Sequence, residues 1–197
     1  MKIGIFGGAF NPVHYAHLAG ADQVRERLGL DKVVFVPSGI APHRKIMGAE
    51  PHERYEMVSL AIRGNRRFEI SDIEIKNNGS KDKPAWSIDT AELLAKKYGR
   101  KTALYFIVGS DEALALSSWK ESEKLLNLVR FVVMTRPGYE IGKLSGGLKK
   151  RLKVINITAL DISASVLRER IKKGLSVKYL VPPPVEAYIR KHGLYRL

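Results

Sequence analysis

Cysteine is absent from this sequence of 197 residues, which excludes disulfide bonds, a thiolate metal site and a thiol nucleophile. No apolar run approaches the roughly 20 residues that a transmembrane helix needs. The first residues lack the pattern of a signal peptide, because glycine, asparagine and proline interrupt the apolar run within residues 7–12. We therefore expect a soluble, cytoplasmic protein, and the length suits a single domain over residues 1–197.

Acidic residues are also scarce: there are 20, against 34 lysines and arginines, so the formal net charge is +14. This charge is compatible with a nucleic-acid partner, or with solvated faces that steer polyphosphate substrates inward. The basic residues are scattered, and no run interleaves them with the aromatic residues of a base-stacking platform. The second interpretation is therefore favoured, and the cluster at residues 149–151 is the best candidate for contact with nucleic acid.

The start of the chain combines a short strand, a glycine turn and a helix start. Residues 3–6 form an apolar run that is typical of a buried strand. Gly7 and Gly8 allow a tight turn and a close approach of the backbone to a ligand. Asn11 favours a helix N-cap and Pro12 the first helical position, so the positive end of the helix dipole would point toward the turn. This arrangement predicts a phosphate site.

His14 and His17 lie three residues apart in the first turns of this predicted helix, so they should share one face. A single histidine is more often an ordinary surface or core residue, but two beside a glycine turn favour a nucleoside triphosphate site. Two other phosphate motifs do not fit, because the glycines lack G-x-G-x-x-G spacing and no Gly-Lys-Ser/Thr follows them. The turn residues predicted to bind ATP are Gly7, Gly8, Ala9 and Phe10.

This segment resembles the nucleotidylyltransferases with an H-x-x-H signature, written in many members as G-G-T-F-D-P-x-H-x-G-H. Ala9, Asn11 and Ala16 depart from that form. Ala9 removes a hydroxyl and leaves only backbone contact at its position, whereas Asn11 keeps a capping side chain and Ala16 stays small. The resemblance therefore still implies nucleotidyl transfer, with His14 and His17 as catalytic residues.

A second motif lies at residues 161–168, where Ser163 is a predicted N-cap and Arg168 stands in the early turns of the next helix. A guanidinium there can reach an anion held at the helix start. A capped surface helix with an exposed arginine is the commoner case for such a segment. However, it resembles the I-S-S-T-x-x-R signature of the same family, whose hydroxyls, backbone and arginine hold the β- and γ-phosphates. By that resemblance the residues are Ile162, Ser163, Ser165 and the catalytic Arg168.

Strands and helices alternate along the chain, which predicts an α/β fold class with a doubly wound parallel sheet. The resemblance implies a Rossmann-like nucleotidylyltransferase fold, in which ligands bind beyond the carboxyl ends of the strands. Residues 142–147 are predicted to be a loop. The predicted strands are 3–6, 33–36, 68–71, 104–108, 131–134 and 154–157, and the predicted helices are 13–28, 52–62, 89–98, 112–119, 123–128, 165–173 and 185–192.

The middle of the chain carries three candidate segments for the acceptor substrate. Residues 37–45 form a loop after the second strand that ends in anion partners, although a basic surface loop is the plain alternative. Trp86 precedes Ser87, a predicted N-cap, and Trp119 offers a stacking face, although either tryptophan could be core packing. Gly109 and Asp111 follow the fourth strand, where the carboxylate could hold ribose hydroxyls. The anion partners are His43, Arg44 and Lys45.

Taken together, these segments resemble the bacterial nicotinate mononucleotide adenylyltransferases nearly end to end. Those enzymes show P-x-x-x-P-P-H-K, then S-Y-T-x-D-T, then G-S-D followed by a tryptophan, and then R-P-G. This chain has Ala41 for a proline, Arg44 for lysine, Trp86 for tyrosine and Ser87 for threonine, and Arg136 begins its R-P-G. The resemblance implies that Trp119 stacks on the pyridine ring and that Arg136 belongs with the mononucleotide-binding residues. Its substrates would be ATP and nicotinate mononucleotide, in NAD biosynthesis.

The resemblance also implies the chemistry: the 5′-phosphate of the mononucleotide attacks the α-phosphorus of ATP and releases pyrophosphate. Mg²⁺ would bind mainly through the ATP phosphates, with no dedicated protein metal site. Backbone N–H groups near Ser87 could receive the nicotinate carboxylate, although an amide oxygen can accept the same bonds. A nicotinamide-preferring or dual enzyme, a phosphopantetheine adenylyltransferase and a basic nucleic-acid-binding protein stay open as alternatives, as does a homo-oligomer.

Overall fold

The computed structural model describes residues 1–39, 48–77, 85–135, 146–158 and 160–196. Their strands are Lys2–Gly8 (β1), Lys32–Pro37 (β2), Phe68–Ile70 (β3), Ala103–Gly109 (β4), Arg130–Thr135 (β5) and Leu152–Asn156 (β6). Their helices are Tyr15–Leu28 (α1), Pro51–Ile62 (α2), Ile73–Asn77 (α3), Ser87–Tyr98 (α4), Ser110–Leu114 (α5), Ser122–Leu128 (α6), Gly146–Lys149 (α7), Ala164–Lys172 (α8) and Pro183–His192 (α9), with a 3₁₀ turn at Leu116–Ser118.

The six strands form one sheet in the order β3-β2-β1-β4-β5-β6. Parallel ladders join β1 to β4, β4 to β5 and β5 to β6, and Phe6 lies opposite Ile107 near the carboxyl ends of the first pair. The strand order reverses at β1 and β4, where doubly wound sheets place their ligands. The predicted α/β fold with a doubly wound parallel sheet is therefore confirmed.

Two compact units make up the chain. The first comprises residues 1–7, 20–34 and 86–159. Its core is aromatic on one side of β4 and β5, where the rings of Phe106 and Phe131 stack with centroids 5.3 Å apart. Gly4 lies so close to its neighbours that a Cβ there would stand 2.8 Å from the Ile107 side chain, so the tight packing of β1 requires glycine.

The second unit comprises residues 8–19, 35–85 and 160–197, and thus the segments that follow β1 and β2 together with the chain's last helices. Within it, α2 packs against α9 and β3. The ring of Phe35 lies 5.7 Å from that of Phe10 and 5.1 Å from that of Phe68. The single domain over residues 1–197 stays a prediction.

Most predicted elements are present with ends shifted by at most two residues, but the predictions at four places are wrong. Helix α1 begins at Tyr15, so Asn11 is not its N-cap, Pro12 is not its first residue and His14 precedes it. Trp86, not Ser87, occupies the N-cap position of α4. The helix predicted over residues 112–119 is two pieces, α5 and the 3₁₀ turn, and residues 146 and 147 of the predicted loop lie in α7.

These errors have physical causes. Asn11 is held by distant side chains, described below, and these outweigh its local capping preference. Helix α5 starts early because Gly109 donates its N–H to the Glu112 carboxylate, 2.9 Å away, which satisfies one of the free donors at the helix start. No pattern predicted α3, because its five residues are too few for a helical period to show.

Candidate active site

The two histidines of the first motif stack on each other, with ring centroids 3.7 Å apart and planes 27° apart. His14 is buried and precedes α1, whereas His17 lies in its first turn. The backbone N–H of His14 donates to Nδ1 of His17 at 3.3 Å. A neutral His17 ring therefore carries its proton on Nε2, as a donor. The prediction that the two side chains lie together is confirmed.

The turn that leads to the histidines has a strained backbone at Phe10. This residue has φ of 46°, in the left-handed region that bulky side chains rarely adopt. Its buried ring meets the His17 ring edge-on, with centroids 5.1 Å apart. A Cβ at Gly8 would stand 3.2 Å from the Phe10 ring, so the turn favours glycine there. Such strain tends to collect at functional sites because the surrounding structure must hold it.

Arg168 and Tyr195 hold Asn11 from two sides. Nη1 of Arg168 donates to the Asn11 main-chain oxygen at 2.8 Å, and the Tyr195 hydroxyl donates to Asn11 Oδ1 at 2.7 Å. Burial raises the pKa of the Tyr195 phenol well above its usual value, so the hydroxyl stays a donor. The second motif is thereby joined to the first. Arg168 makes no other hydrogen bond within the described ranges, which leaves further guanidinium N–H groups for a ligand.

The start of α8 has the predicted cap. Ser163 is the N-cap, and its Oγ accepts the Val166 N–H at 3.3 Å. The hydroxyls of Ser163 and Ser165 lie 3.1 Å apart, and Ile162 immediately precedes the cap with its side chain half-buried. This helix end therefore presents two hydroxyls and the remaining N–H groups of its first turn. The capping prediction for Ser163 is confirmed.

In the first unit, the predicted ligand residues lie after β4 and at the start of α4. Gly109 ends β4 and Asp111 is exposed in α5. The half-buried Trp119 meets the rings of Phe106 and Phe131 edge-on, with centroids 6.0 and 6.2 Å away. These contacts show that packing accounts for part of the tryptophan surface.

At the start of α4, the Lys120 ammonium lies 5.5 Å from the centroid of the Trp86 ring. Ser87 is the first residue of this helix. The N–H groups of this first turn remain candidates for a carboxylate, even though Ser87 is not the cap. His43, Arg44, Lys45 and Arg136 lie outside the described residues.

Two residues that no sequence pattern selected, Gly48 and Arg54, pack against the site residues of the second unit. Gly48 has φ of 117°, and a Cβ there would stand 2.6 Å from the Tyr195 ring. Arg54, in α2, is wholly buried and hydrogen-bonds to the main chain after β1 and β2. A signal for Arg54 was present, because it occupies the same helix face as the buried Met57 and Val58.

The basic cluster at residues 149–151 is partly neutralised. Arg151 bonds to Glu123 and Asn127, each at 2.6 Å. With Arg130, Lys150 and Lys153 it lines a cleft of about 440 Å³. This cleft lies at the amino-terminal starts of β5 and β6, whereas doubly wound sheets bind ligands at the carboxyl ends.

Within the described ranges, no histidine, aspartate or glutamate side chains form a group of three or more that could hold a metal ion. The donors around the H-x-x-H motif are imidazole, guanidinium, hydroxyl and backbone groups, which suit phosphate oxygens. A Mg²⁺ ion held mainly by phosphates and water fits such a donor set, because Mg²⁺ keeps several waters and few protein ligands. No helix in the described part of the chain is long and apolar enough to cross a membrane.

Comparisons with known proteins agree with this geometry. Residues 5–170 match the family model described as cytidylyltransferase-like. The whole chain is 41% identical to a Thermoanaerobacter sp. (strain X514) protein named "Probable nicotinate-nucleotide adenylyltransferase", covering 95% of it. It is 43% identical to a protein of the same name from Rubrobacter xylanophilus, covering 100% of this chain and 92% of that protein.

A solved structure shows the same fold. The nicotinic acid mononucleotide adenylyltransferase of Plasmodium falciparum, complexed with NaAD, matches with a TM-score of 0.79 over 98% of this chain and 97% of that one. Its sequence identity is 24%, so the likeness concerns the fold.

Proposed function

This chain belongs to the cytidylyltransferase-like family and, within it, to the nicotinate-nucleotide adenylyltransferases, and we propose from this membership that it transfers the adenylyl group of ATP to nicotinate mononucleotide. The products are nicotinate adenine dinucleotide and pyrophosphate, a step in NAD biosynthesis that we assign to the cytoplasm. One observation supports the proposed chemistry: the stacked His14–His17 pair and Asn11, to which Arg168 donates a hydrogen bond, lie in one segment, residues 10–17.

The reaction forms one bond and breaks one bond at the α-phosphorus of ATP. An oxygen of the mononucleotide 5′-phosphate attacks that phosphorus, and the bond to the bridging oxygen of the β-phosphate breaks. Pyrophosphate leaves with the electron pair. The attacking group is already an anion, so no strong general base is required. Catalysis then consists of positioning and of stabilising the charge that develops on the phosphate oxygens.

We assign the α- and β-phosphates to the turn at residues 7–10 and to the two histidines. The N–H groups of a glycine turn suit phosphate oxygens. His17, with its proton on Nε2, can donate one hydrogen bond to an oxygen on which charge increases. His14 is fixed against it by stacking and by burial, so the pair is preorganised before substrate arrives.

We assign the leaving pyrophosphate to the start of α8 and to Arg168. The Ser163 and Ser165 hydroxyls and the first-turn N–H groups, beginning after Ile162, provide neutral donors at the positive end of the helix dipole. The Arg168 guanidinium adds a charge-assisted donor fork. Mg²⁺, when bound, neutralises phosphate charge, and we propose that the phosphates supply most of its ligands.

The remaining assignments follow the resemblance and concern the two nucleosides. Asp111 and the backbone at Gly109 are proposed to bind ATP, and Trp119 to stack on the pyridine ring. The backbone N–H groups near Ser87 are proposed to receive the nicotinate carboxylate. The other residues proposed to bind the mononucleotide are His43, Arg44, Lys45, Trp86 and Arg136.

A parallel assay of three acceptors tests this function. Pyrophosphate release is measured with ATP and Mg²⁺ and with nicotinate mononucleotide, nicotinamide mononucleotide or phosphopantetheine. We expect a strong preference for the nicotinate form. Comparable rates with nicotinamide mononucleotide would support adenylyl transfer but contradict the proposal that N–H groups near Ser87 bind the nicotinate carboxylate. Pyrophosphate release only with phosphopantetheine would contradict nicotinate mononucleotide as the acceptor. Strongly salt-dependent binding of nucleic acid without turnover would contradict the assignment of the protein as an enzyme.

A further inference from the structure

Arg54 is a buried cation whose hydrogen bonds all go to two short segments, one after β1 and one after β2. It lies on the inward face of α2 and has no exposed surface. Its Nη1 donates to the main-chain oxygen of Ala9 at 2.8 Å. Its Nη2 donates to the main-chain oxygens of Ser38 at 2.7 Å and Gly39 at 3.2 Å. One guanidinium therefore joins the segment that leaves β1 to the segment that leaves β2.

Fold stability alone gives a poor reason for this arrangement. Burial lowers the pKa of the Arg54 guanidinium below its usual value, and electrostatic interactions with Tyr195, Glu50 and Glu74 oppose that shift. No carboxylate of the described residues lies within ion-pair distance of it, and its Nε atom has no hydrogen-bond partner there. A buried cation without a paired anion is costly, and an apolar side chain of similar volume is often at least as stable.

The positions of the bonded oxygens suggest what Arg54 does. Ala9 belongs to the turn to which we assign the ATP phosphates, and Ser38 and Gly39 directly follow β2. A backbone bond from the Ser38 N–H to the Gly8 oxygen, 2.9 Å long, joins the same two segments. The planar guanidinium of Arg54 adds hydrogen bonds from its two Nη atoms to these segments, so the peptide planes on both sides have a fixed orientation. In a planar peptide group the N–H points opposite to the C=O. A hydrogen bond that holds the carbonyl of such a group therefore also fixes the direction of its N–H.

We propose that Arg54 is a positioning residue, which orients the turn at residues 7–10 through Ala9 and the two residues after β2, Ser38 and Gly39, through their carbonyl groups. The inference rests on the proposed function for its kinetic consequence. A misplacement of about 1 Å at a reacting group costs on the order of 10²-fold in rate. Arg54 therefore contributes to turnover without contacting the reacting atoms.

Three variants separate positioning from stability. R54M keeps an unbranched apolar chain, and R54K keeps the charge but has one nitrogen, which cannot reproduce the fork. M57A is the matched control, because Met57 is also fully buried on α2 and its truncation leaves a cavity. Unfolding free energy, kcat and the KM for each substrate are measured at a temperature where every variant is folded.

We expect kcat/KM for ATP to fall about 10²-fold in R54M and about tenfold in R54K. M57A should lose stability and keep kcat and both KM values within about twofold of the original. If the Arg54 variants match M57A in kinetics, the residue is only structural and the inference is wrong. R54K decides the case if R54M fails to fold.

Hydrogen exchange provides a readout that does not depend on activity. The Ser38 amide, which donates to Gly8, should exchange faster in R54K than in the original protein and should be unchanged in M57A. Faster exchange in a protein that forms no dinucleotide would support the positioning inference and refute the proposed function. Unchanged exchange and kinetics in an active protein would refute the inference alone.

Discussion

Replacing Tyr195 with phenylalanine tests how the end of the chain holds the catalytic segment. Tyr195 is 7% exposed, and its hydroxyl donates to Asn11 Oδ1 at 2.7 Å. The phenylalanine ring keeps the packing against Gly48, so the change removes only the hydroxyl. Asn11 is itself 5% exposed, and its oxygen then loses a donor in a buried place. Such a loss costs about 1–3 kcal/mol of unfolding free energy.

The assay is chemical and thermal unfolding of the original protein, Y195F and the control Y179F. For a chain of this length, about 1 kcal/mol shifts Tm by roughly 2–4 °C, so Y195F should melt about 2–12 °C lower. Tyr179 is 79% exposed, so Y179F should melt with the original protein. Equal melting of Y195F and Y179F would refute the reasoning about the Asn11 contact.

The pH dependence gives a second, independent check on Tyr195. Burial raises the pKa of its phenol, so the folded protein keeps the proton above the unfolded pKa of about 10, where the unfolded chain loses it. Stability from this group is therefore fully present below pH ~10 and falls above it, by at most about 1.4 kcal/mol per pH unit. The stability gap between the original protein and Y195F should narrow above pH ~10. A stability difference between the two proteins that stays constant above pH ~10 would contradict the raised pKa of the Tyr195 phenol.

Three further substitutions have expected outcomes. His17→Ala should lower kcat by ~10²–10³, the usual loss for one preorganised donor, and an unchanged turnover in steady-state assays would remove its assigned role. Trp119→Ala should raise the KM for the mononucleotide and leave that for ATP near its original value; equal effects would indicate packing against Phe106 and Phe131 instead. Gly48→Ala should destabilise by about 1–3 kcal/mol in urea unfolding, because its Cβ would stand 2.6 Å from the Tyr195 ring at a φ of 117°, and wild-type stability would show that the ring can move.

Local chemistry was sufficient to predict the sheet and one cap. The run at residues 33–36 is apolar throughout, because β2 is buried on both faces, and so its strand was predicted from composition alone. Ser163 capped α8 as its side chain and position indicated. The spacing of His14 and His17 predicted that they lie together, and their rings do stack, although His14 is the residue before α1 and not within it.

Contacts between residues distant in the sequence account for what was not predicted. Asn11 has a capping side chain, but Arg168 and Tyr195, 157 and 184 residues away, hold it outside the helix. The charge of Arg54 favours a surface position, whereas its spacing from Met57 and Val58 favours the buried face of α2. Only the fold shows which preference holds and that the guanidinium bonds to main-chain oxygens. These residues lie around the predicted catalytic segment, where local preference and tertiary contacts disagree.

The destination of the α-phosphate tests the proposed adenylyl transfer most directly. The protein is incubated with nicotinate mononucleotide, Mg²⁺ and ATP labelled at the α-phosphorus, and in a parallel reaction with ATP labelled at the γ-phosphorus. We predict that the α-label appears in a product with the mass of nicotinate adenine dinucleotide and that the γ-label appears only in pyrophosphate. An α-label that stays in ATP, or that leaves it without entering the dinucleotide, would contradict adenylyl transfer to this acceptor.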